Sequence, residues 1–546
     1  MDAVQECVTS GINEARFIQH IRELFTTSTV ALAELAQNAR RANASEVRFD
    51  LCDDGRTLVV SDSGGGIDDF AKLIRIAESG WAQEVVEDEQ PFGIGFMSVS
   101  FTADEVLVES KGKSIRFTPE DLVSKRPIRV MGADFIGGTR ITLGGFKLGA
   151  KEAAQALRKY AAGFPIPVVL NGERLPRPYA QAMLPGEHTE IGFLYVPGVH
   201  LGDAALTWRG RCFCQGLPVN VGDFSDANRW VEEDSPVAHI DHHKFRPRVP
   251  DRDVLIDQDA AARCIDGEIR RLWIAHLDRQ KRVMDAAAFA ERYWQTAAWL
   301  GCLALMNDVP VLPKCALTRV EHYPRTGEAS DEFLAPSEHA IGRDALACGA
   351  IGLCAPVMTN LEGDSFARMM FAREKGWLFV DALPADHWAA RYVVELDNAP
   401  LAFVGLKTVA TGEFSGRFVS GTVKIVDELK LMLNGETAKL SDPVALGNGD
   451  SHVATMLVPR SSRCPAAVLT QVSDYRDENE SYRETDHALD EMDFENLVDI
   501  LCGEPAARTL EKVLVQANVA RKHNLLGARF TLAIDEAGNV SVEAAA

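Results

Sequence analysis

The stretch Glu34 to Ala42, reading ELAQNARRA, constrains this chain more than any other, because it sets a carboxylate and a carboxamide four residues apart. On an α-helix that spacing stacks Glu34 and Asn38 on one face. The apolar residues Leu32, Leu35, Ala36, Ala39 and Ala42 give the same helix a side to bury. The polar pair is therefore expected to face inward, toward something that needs an acid beside an amide. Upstream, residues 11–25 carry Ile12, Phe17, Ile18, Ile21, Leu24 and Phe25 at helical spacing. Thr26 to Thr29 then offers an N-cap for the Glu34 helix.

Three further segments follow: DSGGGI at Asp62 to Ile67, PFGIGFMS at Pro91 to Ser98, and GGTRITL at Gly137 to Leu143. Val47 to Cys52 and Thr57 to Asp62 read as strands between the first two motifs, and Glu105 to Ser110, Lys113 to Thr118 and Thr139 to Leu143 extend the same sheet. Glycines after Asp62 allow a backbone to approach a ligand closely. Asp68 to Gln90 reads as a helix followed by an acidic, irregular stretch. A helix over 151–163 and a hairpin over 166–175, turning at Asn171-Gly172, complete the region.

Taken in this order, the four segments resemble the Bergerat-type nucleotide site of the gyrase, Hsp90, histidine kinase and MutL superfamily, nearest to the Hsp90-like ATPases. The resemblance implies an α/β (α+β) fold in which helices cover one mixed sheet, with ATP as ligand and Mg²⁺ as the accompanying cofactor. It gives Glu34 the task of orienting and activating the attacking water, and Asn38 that of ligating the metal. Asp62 would accept from the adenine amino group, with Gly64, Gly66, Ile67 and Thr139 around the base. Gly93, Ile94, Gly95 and Phe96 would form the second glycine box, wrapping the phosphates. In those families a second domain reaches the terminal phosphate with a cation. Arg252, in PDRDVLI, resembles the arginine of the Hsp90 middle domain, and Lys244 is the counterpart expected of a gyrase or MutL arrangement. KGKS at Lys111 to Ser114 is not a P-loop, since Leu107 stands where that motif needs glycine. A histidine kinase would need a phosphoacceptor upstream, and only His20 is there.

The pattern divides the chain into a nucleotide-binding domain over 1–180, a transducer-like α/β domain over 185–290 and a C-terminal α+β region over 291–546. In the second, residues 191–196, 205–210 and 211–221 read as strands, and Ile265, Ile269, Leu272, Trp273 and Leu277 mark an amphipathic helix. Beyond it, Phe289 to Met306 reads as one apolar helix and Tyr475 to Asp499 as a solvated or disordered acidic face. Arg508 to Leu526 reads as a helix, and a hairpin closes the chain.

A net charge of −22 over 546 residues opposes a broad nucleic-acid footprint. Eleven scattered cysteines, including Cys212, Cys214, Cys348 and Cys354, are expected to be buried reduced thiols. The pair His242-His243 lacks the further Cys or His partners a zinc site would show nearby, so no zinc site is expected. Neither a secretory leader nor a run of about 18 apolar residues is seen, which predicts a cytoplasmic protein off the membrane. Two functions fit these features. One is an ATPase driving a conformational cycle, chaperone-like, closing as an ATP-dependent homodimer with a protein client or partner. The other is a MutL, topoisomerase or MORC type of ATPase acting on nucleic acid.

Overall fold

The computed structural model describes residues 29–52, 55–75, 81, 83, 95–202, 205–225, 234–248, 252–318, 320, 337–355, 364–380, 383–449, 453–472, 483–517, 519–522 and 525–545. It is a mixed α and β protein made of two compact units, Met1–Arg279 and Gln280–Ala546. The expected helix over 11–25, His20, Gly93 and Ile94 lie outside the described residues.

The first unit opens with α1 (Val30–Arg41), rich in alanine and leucine and buried at ten of its twelve positions. Thr29 occupies its N-cap position, but in helical rather than extended backbone and without a side-chain capping bond, unlike the expected cap. Next come β1 (Val47–Cys52), β2 (Thr57–Asp62), α2 (Gly95–Phe101), β3 (Glu105–Ser110), β4 (Lys113–Phe117), β5 (Val130–Gly132), β6 (Thr139–Gly144), α3 (Ala150–Ala161), β7 (Val168–Leu170) and β8 (Glu173–Arg174). The eight strands form one sheet in the order β5-β4-β3-β6-β2-β1-β7-β8. Only the β1–β7 pairing is parallel; the others are antiparallel. Lys111 and Gly112 of the KGKS segment make the β3–β4 turn, both with positive φ.

Alternation puts Phe49, Leu58, Val60, Val106, Val108 and Leu143 on one face, where they join Leu32, Leu35 and Ala36 of α1, Val99 of α2 and Leu157 of α3 in one core. The opposite face is polar and carries cross-strand pairs such as Arg140–Glu109 at 3.7 Å, as expected of a largely antiparallel sheet with one wet side. Residue pairings run without a bulge from Val47 opposite Asp62 and from Asp62 opposite Thr139. Three segments distant in sequence thus end at one sheet margin.

A second sheet, in the order β12-β11-β13-β10-β9, is built from β9 (Glu187–Thr189), β10 (Gly192–Tyr195), β11 (Arg211–Cys214), β12 (Leu217–Pro218) and β13 (Val237–Ile240). Residues 205–210, expected as a strand, are irregular. Trp208 is engaged there beneath the Arg270 guanidinium at 4.7 Å, and Gly210 binds the Phe224 carbonyl through its N–H. Leu217 belongs to the core of the first sheet. The β11–β12 turn at Gln215-Gly216 is thereby pressed against the α1 layer. The amphipathic helix runs over Gln258–Val283 and buries all five expected apolar residues.

In the second unit, Ala286–Trp299 is helical and ends early, because Gly301 turns the chain with positive φ before a short 3-10 turn over Leu303–Met306. The acidic stretch departs most from expectation. Its described part is the helix Glu484–Cys502, with Phe494 fully buried against Phe414 at 5.1 Å. Asp490 is fully buried there too, accepting from the Arg417 and Phe418 N–H groups and from the Arg417 guanidinium at 2.9 Å. Apolar residues at helical spacing inside an acid-rich run were the missed signal. The helix expected over 508–526 is shorter, Ala506–Gln516, and the closing hairpin pairs Phe530–Ile534 with Val540–Ala544. Ten described cysteines are free, but Cys52, Cys264 and Cys348 are exposed rather than buried. No helix among the described residues is long and apolar enough to cross a membrane.

Phe49, buried where β1 meets the helices, is the side chain on which this sheet face closes. Phe49→Ala should cost the first unit about 3–5 kcal/mol, read as an earlier urea transition reported by Trp273, with the second unit's transition unmoved. An unchanged midpoint would contradict the assigned core.

Candidate functional site

Residues 34, 38 and 41 follow each other at spacings of four and three, so Glu34, Asn38 and Arg41 share one stripe of α1. Glu34 is buried, and the Arg41 side chain is only 2% exposed. Arg41 Nη1 lies 3.9 Å from Glu34 Oε2 and donates to Asn38 Oδ1 at 3.3 Å. The other Glu34 oxygen, Oε1, is approached by Arg252 Nε at 3.5 Å. Arg252 reaches it from the irregular segment ahead of the Gln258 helix, with a φ of 55° that side chains other than glycine seldom adopt. Its Nη1 also donates to Gln215 Oε1 at 3.5 Å, while Gln37 Nε2 donates to the Gln215 carbonyl at 2.9 Å. The β11–β12 turn therefore braces both α1 and the arginine that crosses to it.

The first residue of α2 completes this end of the site. A Cβ at Gly95 would overlap the Glu34 carboxylate. Glycine at this position lets the carboxylate lie across the start of that helix; a side chain there would require Glu34 to shift. Ser98 hydroxyl donates to the Gly95 carbonyl at 2.6 Å, and Phe96 points into the core at 8% exposure.

The second cluster lies at the margin shared by β2, β3 and β6. Asp62 Oδ1 accepts the Gly64 N–H at 2.7 Å, and Thr139 bonds to the same carboxylate through backbone and hydroxyl. Burial pushes the Asp62 carboxyl above its ordinary range, partly offset by those donors. At Gly138 a Cβ would stand 2.5 Å from the Asp62 carbonyl and 2.8 Å from the Gly64 nitrogen, so the two loops touch through backbone. Ser110 hydroxyl donates to the Gly138 carbonyl at 2.5 Å and accepts the Ile67 N–H at 2.9 Å. Gly66 turns between them with a φ of 72°. The Gly65 N–H donates to the carbonyl of Ala42, just past α1, at 2.9 Å, which ties this cluster to the one around Glu34.

Lys244 is placed elsewhere: its ammonium bonds the Glu190 carbonyl. His242 and His243 are joined by Asp241, whose ligand atom lies with theirs within 4.8 Å, although Asp241 Oδ1 already accepts the His243 N–H. Sequence reasoning overlooked Arg41 and Gln215. Arg41 carried a signal, standing three residues after Asn38 on the same face; Gln215 carried none, since only the tertiary fold brings its turn to α1.

For a divalent cation this end offers one neutral oxygen, Asn38 Oδ1, which keeps a second lone pair beside its bond from Arg41. That fits Mg²⁺ carried in by phosphates, an ion that retains most of its waters and needs few protein ligands. It is not a free-standing cation site, because the neighbouring carboxylate already faces two guanidiniums. In a chain of charge −22, two arginines converge on the one Glu34 carboxylate, so this cluster carries more cationic than anionic side chains. No protein-family model matches the chain, and no curated protein matches it.

A raised carboxyl has a definite consequence for stability. Whatever Asp62 contributes through binding its proton is present below the ordinary aspartate range and is lost as pH rises through its higher folded value. At neutral pH the buried charge is a cost, and an amide would keep an acceptor for the Gly64 N–H without it. Asp62→Asn should melt no lower than wild type at pH 7, and any advantage should shrink as pH falls through the folded value toward the ordinary aspartate range, followed by thermal melts across pH. A large drop in melting temperature at pH 7 would show that the charge holds the turn.

Proposed function

We propose that the first unit is a Bergerat-type ATPase module, binding ATP across the two clusters and hydrolysing it in a conformational cycle. The observation that carries the reading is the approach of Arg252 Nε to Glu34 at 3.5 Å, a cation from one segment meeting a buried acid from another. Support also comes from Asp62, a partly buried carboxylate flanked by Gly64 and Thr139, a disposition suited to accepting from an adenine amino group.

In this reading Asp62 orients the base, while Gly64 and Gly66 let the loop pack closely on Ala42 and Gly138 and so hold Asp62 in place. Glu34 holds the attacking water and takes its proton, a contribution of the order of 10²–10⁴ for a positioned base. Asn38 would hold Mg²⁺, which when bound neutralises phosphate charge. Arg252 is engaged by Glu34 Oε1 at 3.5 Å, and while it stays there that oxygen is not free to act as a base. A terminal phosphate carries more negative charge than one carboxylate and competes for the guanidinium. Transfer of Arg252 to that phosphate frees Glu34 Oε1 for water and stabilises the charge developing in the reaction, as an arginine finger does. Hydrolysis is thereby coupled to the position of the segment that carries Arg252. Such coupling suits a chaperone-like or molecular-machine ATPase, one that closes as a homodimer around a protein client.

Two measurements test this. Glu34→Gln, which keeps an acceptor for Arg41, should bind a non-hydrolysable ATP analogue with affinity near wild type in calorimetry and turn over ATP about 10² slower; equal steady-state rates would remove Glu34 from the reaction. Arg252→Ala should lower turnover far more than analogue affinity, while Lys244→Ala turns over normally. The opposite ranking would assign the phosphate-reaching cation to Lys244 and discard the exchange described above.

A further inference from the structure

Arg41 is a cation that the proposed reaction does not require, held where a cation is hardest to keep. Its side chain is 2% exposed, and a guanidinium does not shed its proton to relieve burial. A leucine or methionine of similar length would fill that space without removing a charge from water. What Arg41 has beside it is specific: Oε2 of Glu34 at 3.9 Å and Oδ1 of Asn38 at 3.3 Å, both reached by the same Nη1. The guanidinium therefore hydrogen-bonds Asn38 and stands in ionic range of one Glu34 oxygen. The opposite carboxylate oxygen, Oε1, remains the one that Arg252 approaches.

We propose that Arg41 is a positioning residue of the hydrolytic site, holding Glu34 by its charge beside Oε2 so that Oε1 alone is presented to the reacting water, with Asn38 Oδ1 as the hydrogen-bond partner that orients the guanidinium. The proposal rests on the ATPase reading and adds to it which carboxylate oxygen acts and what holds it. In the step itself the water oxygen bonds to the terminal phosphorus and the bond from that phosphorus to the bridging oxygen of ADP breaks. The water proton passes to Oε1, and ADP and phosphate leave. Arg41 touches none of these atoms. Its effect must pass through Glu34, and that separates it from a merely structural arginine.

The experiment compares the full chain with Arg41→Met, Arg41→Lys, Glu34→Gln and the Glu34→Gln/Arg41→Met double variant. Steady-state ATP turnover and calorimetric affinity for a non-hydrolysable ATP analogue are measured for each. Arg41→Met should lower kcat about 10- to 100-fold, a loss of the size that misplacing a catalytic group produces, while analogue affinity stays within about threefold. Arg41→Lys, which restores the charge but not the planar fork, should recover part of the rate. In the Glu34→Gln background, Arg41→Met should cost nothing further, because both changes remove the same act. Wild-type turnover in folded Arg41→Met, or losses that multiply in the double variant, would overturn the proposal. Should the methionine variant not fold, Arg41→Gln carries the same test, and wild-type turnover in it is equally decisive. A wild-type chain that binds no analogue would overturn the ATPase reading and this proposal with it, an outcome distinct from an active wild type with an equally active Arg41→Met.

Discussion

The geometry of the first unit depends on a buried carboxylate held between two guanidiniums. Taking Glu34 out of water is unfavourable unless its charge is met at close range, and Arg41 and Arg252 meet it from two directions. That requirement reaches outward. It favours glycine at residue 95, since a side chain there would push the carboxylate from its place between the guanidiniums. It draws the positive-φ segment of Arg252 against α1, and the Gln215 turn braces both partners. Breaking the ion pair without replacing it leaves a buried charge alone. Under the proposed function, the anion that replaces Glu34 as partner of Arg252 is the phosphate of the substrate, so the arginine that meets the buried acid is also the one that meets ATP.

The two clusters are joined by backbone contacts and by one hydroxyl pair, Ser45 and Ser63 at 2.8 Å. Gly65 bonds to Ala42 at the end of α1, while Gly138 and Gly64 abut through main-chain atoms. A displacement of α1 would therefore be transmitted to the loop around Asp62 through the main-chain contacts. Base recognition and phosphate chemistry, if the site works as proposed, are mechanically linked through one helix.

Much of the first sheet was legible because its strands alternate cleanly and its turns use Asn-Gly and Lys-Gly pairs, so periodicity and turn chemistry agree. The stripe of Glu34 and Asn38 was legible for the same reason: helical spacing is local. Gln215 was not, since its role comes from a hairpin brought to α1 by burial of Leu217, a contact that no local pattern encodes. The acidic run in the second unit misled because composition outweighed period. Phe494 and Val498 stand four residues apart and are buried together, and Asp490 is an internal acceptor for the Arg417 loop. Strand-like residues at 205–210 failed as a strand because Trp208 and Gly210 are committed to contacts with Arg270 and Phe224. A β-branched, aromatic composition states only that a segment can extend, not that an edge awaits it.

Hydrogen exchange on the full chain, with and without a saturating non-hydrolysable ATP analogue, tests the central claim most directly. The account predicts slower exchange at Gly64–Ile67, at Gly95–Ser98 and around Thr139, together with altered exchange in the peptide that carries Arg252. Unchanged exchange at all of these, or protection confined to residues 280–546, would contradict it.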